Sequence, residues 1–504
     1  MREKGKPVQN AMSTNPLKAA REQLEQAETF RRQGKLDRAE NICTRLLRQY
    51  PDYFGALHTL GLIYADKKQY TQALGPLLHA VTLNPRSWIT LTTLSALCLN
   101  LRAGEMAAQI LEQARAVRPK DPSVLTTLGY VYDQQREYEK ARDTFSEALK
   151  QQPNFLEASM GLARSHISLG HDQSAVKVVK HLLSKGVISL DLLSTITQLP
   201  KDAVDVDLTA EIEKLGNRKT ASGENSEETL AFVRAHAIDR EGRYEDAYKQ
   251  FKIANKKFSE KLKEQRSGER EREKFSLQWL EEAKPGTGKS RENRPLSLFI
   301  LGPSRSGKTT LEKLVSTLDG VKRGYESTGP EYAINRTFQD AGLIKSWSLK
   351  HLPPQFYSQF KDNFEDELHR RTGPAKVFTN THPAYMLNVG ELAIHIPDAR
   401  FVFVKRDLMD LTTRIFMRSY KSGNAYAYDI QSIHEHVTWY HKMMDAMVEK
   451  YPDIVRIVTY EDMVDDPAKV VGEAASLCGL PSPKAGSMEI PDDRGCAGNY
   501  IEFM

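Results

Sequence analysis

Cysteine is scarce. There are four in 504 residues, at positions 43, 98, 478 and 496. They are far apart and form no CxxC pair, which excludes a zinc ribbon and argues against a disulfide scaffold. Long apolar runs are missing as well. No stretch approaches the roughly 18 consecutive apolar residues of a membrane helix. The N-terminus, MREKGKPVQNAMSTNPLKAAREQ, is basic but has no apolar core, so no secretory signal is expected. Charge of one sign is also lacking: 71 basic side chains oppose 66 acidic ones, for a net charge of +5. That balance points to neither nucleic acid nor an anionic membrane as partner. With 40% hydrophobic and 27% charged residues the chain is foldable, not disordered. At about 100–200 residues per domain its length predicts two to four domains, and a cytoplasmic location is the default expectation.

What is present is a repeat. Ala39, Ala73, Ala107, Ala141 and Ala175 are spaced by 34, as are Pro51, Pro85, Pro119 and Pro153. Ala27, Gly61, Ser95, Gly129 and Ala163 form a second phased set. Small residues at fixed offsets allow two antiparallel helices to cross closely, and the proline ends each unit. A single unit cannot bury its apolar face, so the units stack into a superhelix with a groove. The pattern resembles the tetratricopeptide repeat. We place five units over 20–187 after a tail at 1–19. A sixth, out-of-phase unit at 228–256 carries Ala235, Ala247 and Ala254. The resemblance implies binding of a protein or peptide in the groove, with homo-oligomerisation left open. Residues 188–227 lose the phase and read as an irregular connector. Residues 257–294 read as a mixed-charge helix and linker.

At 295–504 the texture changes to α/β. The apolar run LSLFIL leads into Gly302-Pro-Ser-Arg-Ser-Gly-Lys-Thr-Thr310 and then a helical stretch. Strand, glycine loop and helix N-terminus make a phosphate cradle. A second loop-like string, Lys284-Pro-Gly-Thr-Gly-Lys-Ser290, follows a charged helix rather than a strand and is set aside. As written, GPSRSGKT satisfies the Walker pattern, which keeps open a magnesium-dependent kinase or nucleoside triphosphatase with Lys308 on the phosphates and Thr309 on the metal.

Four pieces in order resemble the sulfotransferase family. They are SRSGKTTL at 304–311, THPAYMLNVGELAIHIPDARF at 381–401, FVFVKRDLMDL at 401–411 and IVRIVTYEDMVDDP at 454–467. Repeat arrays fused to such a domain are themselves a family, and this chain resembles it from end to end. The implied fold is an all-α superhelix followed by a phosphate-loop α/β domain with a parallel sheet. The implied activity is sulfuryl transfer from 3′-phosphoadenosine 5′-phosphosulfate to a hydroxyl or amine, on a protein tyrosine, saccharide or small molecule, with no metal. On that resemblance Arg305, Ser306, Gly307, Lys308, Thr309 and Thr310 hold the phosphosulfate, and Arg305 is also catalytic. Arg406, with Thr413 or Arg414, holds the 3′-phosphate, and Arg494 in RGCAG resembles a further clasp. Two departures stand out: Lys308 replaces the usual threonine, and Arg414 the usual serine. They motivate a third reading, an inactive repeat scaffold. The base is Glu326 or His382, with Glu326 favoured. His434, His436 and His441 miss the HExxH spacing and are expected to line a helix face. Tyr420, Tyr426 and Tyr428 are expected to pack, with an acceptor-facing role as the alternative.

Overall fold

In a computed structural model, residues 16–101, 103–216, 226–282, 295–343, 349–373, 375–396, 398–420, 424–490, 499–500 and 502–503 are described. The linker expected at 284–294 and Arg494 lie outside the described residues. The chain divides into two compact units, Met1–Val178 and Val179–Met504.

The first unit is a stack of helix pairs: α1 (Pro16–Arg32) with α2 (Leu36–Gln49), α3 (Phe54–Asp66) with α4 (Tyr70–Leu83), α5 (Trp88–Asn100) with α6 (Gly104–Val117), and α7 (Pro122–Gln134) with α8 (Tyr138–Gln151). Then come α9 (Leu156–Ser168) and α10 (Asp172–Ser184), the latter crossing the division. The 34-residue phase has a backbone counterpart. Gly34, Lys68, Arg136 and Gly170 all adopt left-handed φ, at 73°, 60°, 61° and 71°, between the two helices of a pair. The turn geometry is thus kept even where the residue is not glycine. The phased small residues are buried, because a Cβ on Gly129 would meet the Phe145 ring at 2.7 Å. Pro51, Pro85, Pro119 and Pro153 each sit in the turn after the second helix.

The second unit opens with α11 (Leu190–Ile196) and α12 (Leu208–Gly216). The stretch expected to be irregular therefore contains two helices. They are too short to carry a visible period, and Leu192, Leu193, Ile196, Leu208 and Ile212 supply their buried faces. The out-of-phase repeat is the hairpin α13 (Ser226–Arg240) and α14 (Tyr244–Lys261). It shares one hydrophobic cluster with the α/β part: Phe232, Phe251 and Phe258 pack with Leu411, Ile415 and Tyr428. Asn255 Nδ2 donates to the Phe416 carbonyl at 2.8 Å. The mixed-charge segment is α15 (Lys263–Glu282), anchored by buried Arg266 on Glu273 at 2.8 Å.

The α/β part runs β1 (Leu296–Leu301), α16 (Lys308–Val315), β2 (Val321–Lys322), α17 (Gly329–Asp340), α18 (Tyr357–Thr372), β3 (Val377–Asn380) and α19 (Val389–His395). It continues through β4 (Ala399–Lys405), α20 (Leu408–Phe416), α21 (Ile430–Lys450), β5 (Val455–Thr459), α22 (Tyr460–Asp465) and α23 (Pro467–Leu477). All pairings are parallel, in the order β2-β3-β1-β4-β5. Helices cover both faces, so β1 and β4 read as continuous apolar runs. The chain leaves β1 toward β2 on one side and β4 toward β5 on the other. The crevice beyond the C-terminal ends of β1 and β4 is therefore a topological switch point, the usual ligand site of such sheets.

Candidate active site

The loop 302–307 follows β1 into that crevice. Gly302 is required sterically: a Cβ there would meet the Val404 carbonyl oxygen at 2.7 Å and collide with Ser306 Oγ. Gly307 has φ of +100°, and Arg305, a non-glycine, has φ of 68°. Arg305 is exposed at the tip of the loop. Ser306 is fully buried, and among the described residues its Oγ has no hydrogen-bond partner. A buried hydroxyl without a partner is costly unless a ligand satisfies it. Lys308 is buried, and its Nζ donates to the Pro303 carbonyl at 2.9 Å, bracing the loop from beneath. Thr309 is exposed and Thr310 half-buried on the first turn of α16. That turn leaves N–H groups directed at the loop, which favours an anion.

Arg406 follows β4 and reaches the same loop. Its Nη1 donates to the Arg305 carbonyl at 3.2 Å, and its guanidinium lies 3.9 Å from the Tyr460 ring centroid. Buried Asp410 accepts from Arg406 Nε at 2.7 Å and from Arg414 Nε at 3.2 Å. One carboxylate thus holds two guanidiniums together beside the loop. Thr413 is buried, and its Oγ1 donates to the Met409 carbonyl. Asp407, the acid that follows β4, caps α20 by accepting from the Asp410 N–H at 2.8 Å.

Both candidate bases lie beside one backbone hydrogen bond that joins the segment after β2 to the segment after β3. The Thr381 N–H donates to the Tyr325 carbonyl at 2.8 Å, so Glu326 and His382 each lie one residue past a bonded pair. Ser327 fixes the other flank of Glu326, its carbonyl accepting from Asn380 Nδ2 and from the Tyr385 hydroxyl, both at 2.9 Å. His382 Nδ1 accepts from the Ala384 N–H at 3.2 Å. With Nδ1 accepting, the neutral ring carries its proton on Nε2 and offers no lone pair to an incoming hydroxyl.

Two contributors are missed by sequence reasoning. Glu312 on α16 is fully buried and accepts from the Tyr325 N–H at 2.8 Å, Thr379 Oγ1 at 2.7 Å and Arg323 Nε at 2.9 Å. Burial pushes its carboxyl above the ordinary range despite Arg323. Tyr420 pairs its hydroxyl with Ser304 Oγ at 2.8 Å, and burial raises it. Tyr426 and Tyr428 are buried core residues. His436 sits in the core against Glu273 at 2.7 Å and stacks on Tyr426. Among the described residues no group of His, Cys, Asp or Glu is arranged to hold a metal, and no helix is long and apolar enough to cross a membrane.

Comparison with known proteins matches residues 295–484 to the sulfotransferase family. Residues 24–87, 102–155 and 134–187 match tetratricopeptide repeat families. No protein of curated function matches. Among solved structures, a tetratricopeptide repeat protein from Parabacteroides merdae is 20% identical, with a TM-score of 0.39, covering 47% of this chain and 92% of its own. MamA from Desulfovibrio magneticus is 18% identical at a TM-score of 0.31, covering 33% and 93%. YrrB, described as having an unusual peptide-binding site, is 15% identical at 0.31, covering 34% and 88%.

Proposed function

Because the chain joins tetratricopeptide repeats to a C-terminal sulfotransferase-family domain, we propose that it transfers a sulfuryl group from 3′-phosphoadenosine 5′-phosphosulfate to a hydroxyl or amine. The observation that carries this is the meeting of two cationic elements at the switch point, the 302–310 loop and Arg406. A donor with anionic groups at both ends calls for two such elements. The unpartnered Ser306 Oγ and the Cβ-free Gly302 fit a phosphosulfate on the loop.

The donor supplies an activated sulfuryl group. Arg305 and the first N–H groups of α16 hold its phosphosulfate end, and Arg406 with Arg414 holds the 3′-phosphate. Arg305 stabilises charge that grows on the bridging oxygen as the S–O bond breaks, a preorganised electrostatic role. Glu326 accepts the proton from the acceptor hydroxyl as its oxygen bonds to sulfur, and 3′,5′-ADP departs. Glu326 is preferred over His382 because His382 Nδ1 already accepts from the Ala384 N–H. The kinase reading needs an acid on a metal, and Asp407 instead caps α20.

The repeats of the first unit recruit a protein or peptide in this account, and the protein acts in the cytoplasm. The test is release of 3′,5′-ADP from the sulfate donor over a panel of phenolic, saccharide and peptide acceptors. Release that Arg305→Ala and Glu326→Gln each cut by about 100-fold or more, in the range expected for a charge-stabilising group or a base, supports the reading. No release with any acceptor, although the donor binds, leaves an inactive scaffold.

A further inference from the structure

A cavity of about 560 Å³ lies beside the loop, entirely within the second unit. Its size is that of a small-ligand site. Arg305, Arg414 and the 417–420 segment form one wall. The other is formed by α11 and the turn after it, from the segment between the repeats, and by α13 of the out-of-phase hairpin. Its charge is one-sided: Lys201, Arg240, Arg305, Arg414 and Arg418 line it against Asp191 and Asp239.

The donor accounts for Arg305 and Arg414 only. The proposed function gives Lys201, Arg240 and Arg418 no role in holding it. Arg240 clamps the turn by donating to the Ile196, Leu199 and Lys201 carbonyls, which fixes Lys201 at the rim. Arg418 donates to Gln198 Oε1 at 3.2 Å, tying the two walls. Of the two acids, Asp239 is engaged by the Tyr500 hydroxyl. His236 adds no charge, because burial and repulsion from Arg240 and Arg418 lower it to about 4.

We propose that this cavity is the acceptor subsite and that it selects acceptors carrying their own negative charge beside the hydroxyl. The proposal rests on the sulfotransferase reading. Opposite charges attract more strongly in a partly desolvated cleft than in water, and a cationic acceptor is disfavoured for the same reason. The helices that leave the 34-residue phase thereby choose the acceptor, and the array before them is not needed for that choice.

Three phenols of similar size serve as probes on the intact protein saturated with 3′,5′-ADP: 3-(4-hydroxyphenyl)propionate, 4-ethylphenol and tyramine. Their dissociation constants are measured by ligand-observed NMR on wild type, Lys201→Gln and Arg418→Gln. The expected order is anion tightest and cation weakest, with at least about tenfold between them, a gap typical of charge complementarity at a binding cleft. Each variant narrows that gap, and Lys201→Gln leaves 4-ethylphenol unchanged. Lys201 is exposed, so its variant tests the idea without disturbing the fold. Equal or reversed affinities, no binding of the anion, or a gap unchanged in both variants overturns the proposal. Binding of 3′,5′-ADP is recorded first in the same samples. Its absence would count against the donor reading instead, and the phenol order is then read on the unliganded protein.

Discussion

The Tyr325 N–H donates to the Glu312 carboxylate at 2.8 Å, joining the helix of the phosphate loop to the segment that carries Glu326. Tyr325 is a non-glycine residue with φ of 53°, an unfavourable backbone that its surroundings must hold. Arg323 helps, lying 4.1 Å from the Tyr325 ring centroid while it pairs with Glu312. Glu312 thus holds the segment of Glu326, the proposed base. Glu312→Ala leaves the Arg323 guanidinium, the Thr379 hydroxyl and a backbone N–H without their acceptor. The expected loss is about 3–5 kcal/mol of unfolding free energy, the range for breaking a buried ion pair. Urea denaturation measures it, and a loss below 1 kcal/mol would contradict the arrangement.

The acid side of the stability curve depends on buried histidines. Burial, with repulsion from Lys361, lowers His395 to about 4. The folded protein keeps this ring neutral while the unfolded chain protonates it near 6.5. The contribution is therefore complete above about pH 6.5 and is lost as pH falls toward 4. For one such group it amounts to about 3 kcal/mol. His395→Gln should flatten the slope of unfolding free energy against pH between 6.5 and 4, and an unchanged slope would contradict the assignment.

The hairpin α13–α14 completes the α/β core. A chain beginning at 295, where the family match begins, lacks Phe232, Phe251 and Phe258 and leaves Leu411, Ile415 and Tyr428 uncovered. That fragment should aggregate or bind an apolar dye, whereas a chain beginning at 226 should unfold cooperatively. Cooperative unfolding of the 295–504 fragment, at the temperature of the longer one, would show the hairpin to be dispensable.

In the first unit Lys68 occupies a left-handed turn position that is glycine at 34 and 170. Its side chain is exposed. Lys68→Gly should therefore raise stability by about 1 kcal/mol, since an L side chain in this region carries a steric penalty of roughly that size. Phe145 has the opposite sensitivity. It fills the space between Gly129 and Gly161, and Phe145→Ala should cost about 3–5 kcal/mol. Thermal denaturation ranks both against wild type.

The repeats and the loop were legible because each obeys a spacing rule, whereas Arg406 was singled out only by the resemblance of FVFVKRDLMDL to a family segment and lies within hydrogen-bond reach of the loop. The 34-residue phase reappears as recurring left-handed turns and buried small residues. The Gly302–Thr310 string reappears as a loop at the switch point. Glu312 was illegible for a physical reason: in LEKLV it looks like an ordinary solvent-facing glutamate, and only the approach of β3 and the 323–325 segment buries it. Tyr420 was expected to pack, with an acceptor-facing role as the alternative, and its bond to Ser304 was hidden because it spans 116 residues. The helices α11 and α12 are too short for periodicity to reveal, yet α11 lines the cavity beside Arg305.

The central claim is a site for a donor with a 3′-phosphate. Its most direct test is calorimetric titration of 3′,5′-ADP, and separately of ATP with magnesium, into wild type and Arg406→Gln. The account predicts tight 3′,5′-ADP binding without metal, weakened at least about tenfold by Arg406→Gln, the scale of one lost charge-assisted contact. Binding of ATP that requires magnesium, with no 3′,5′-ADP binding, would contradict it.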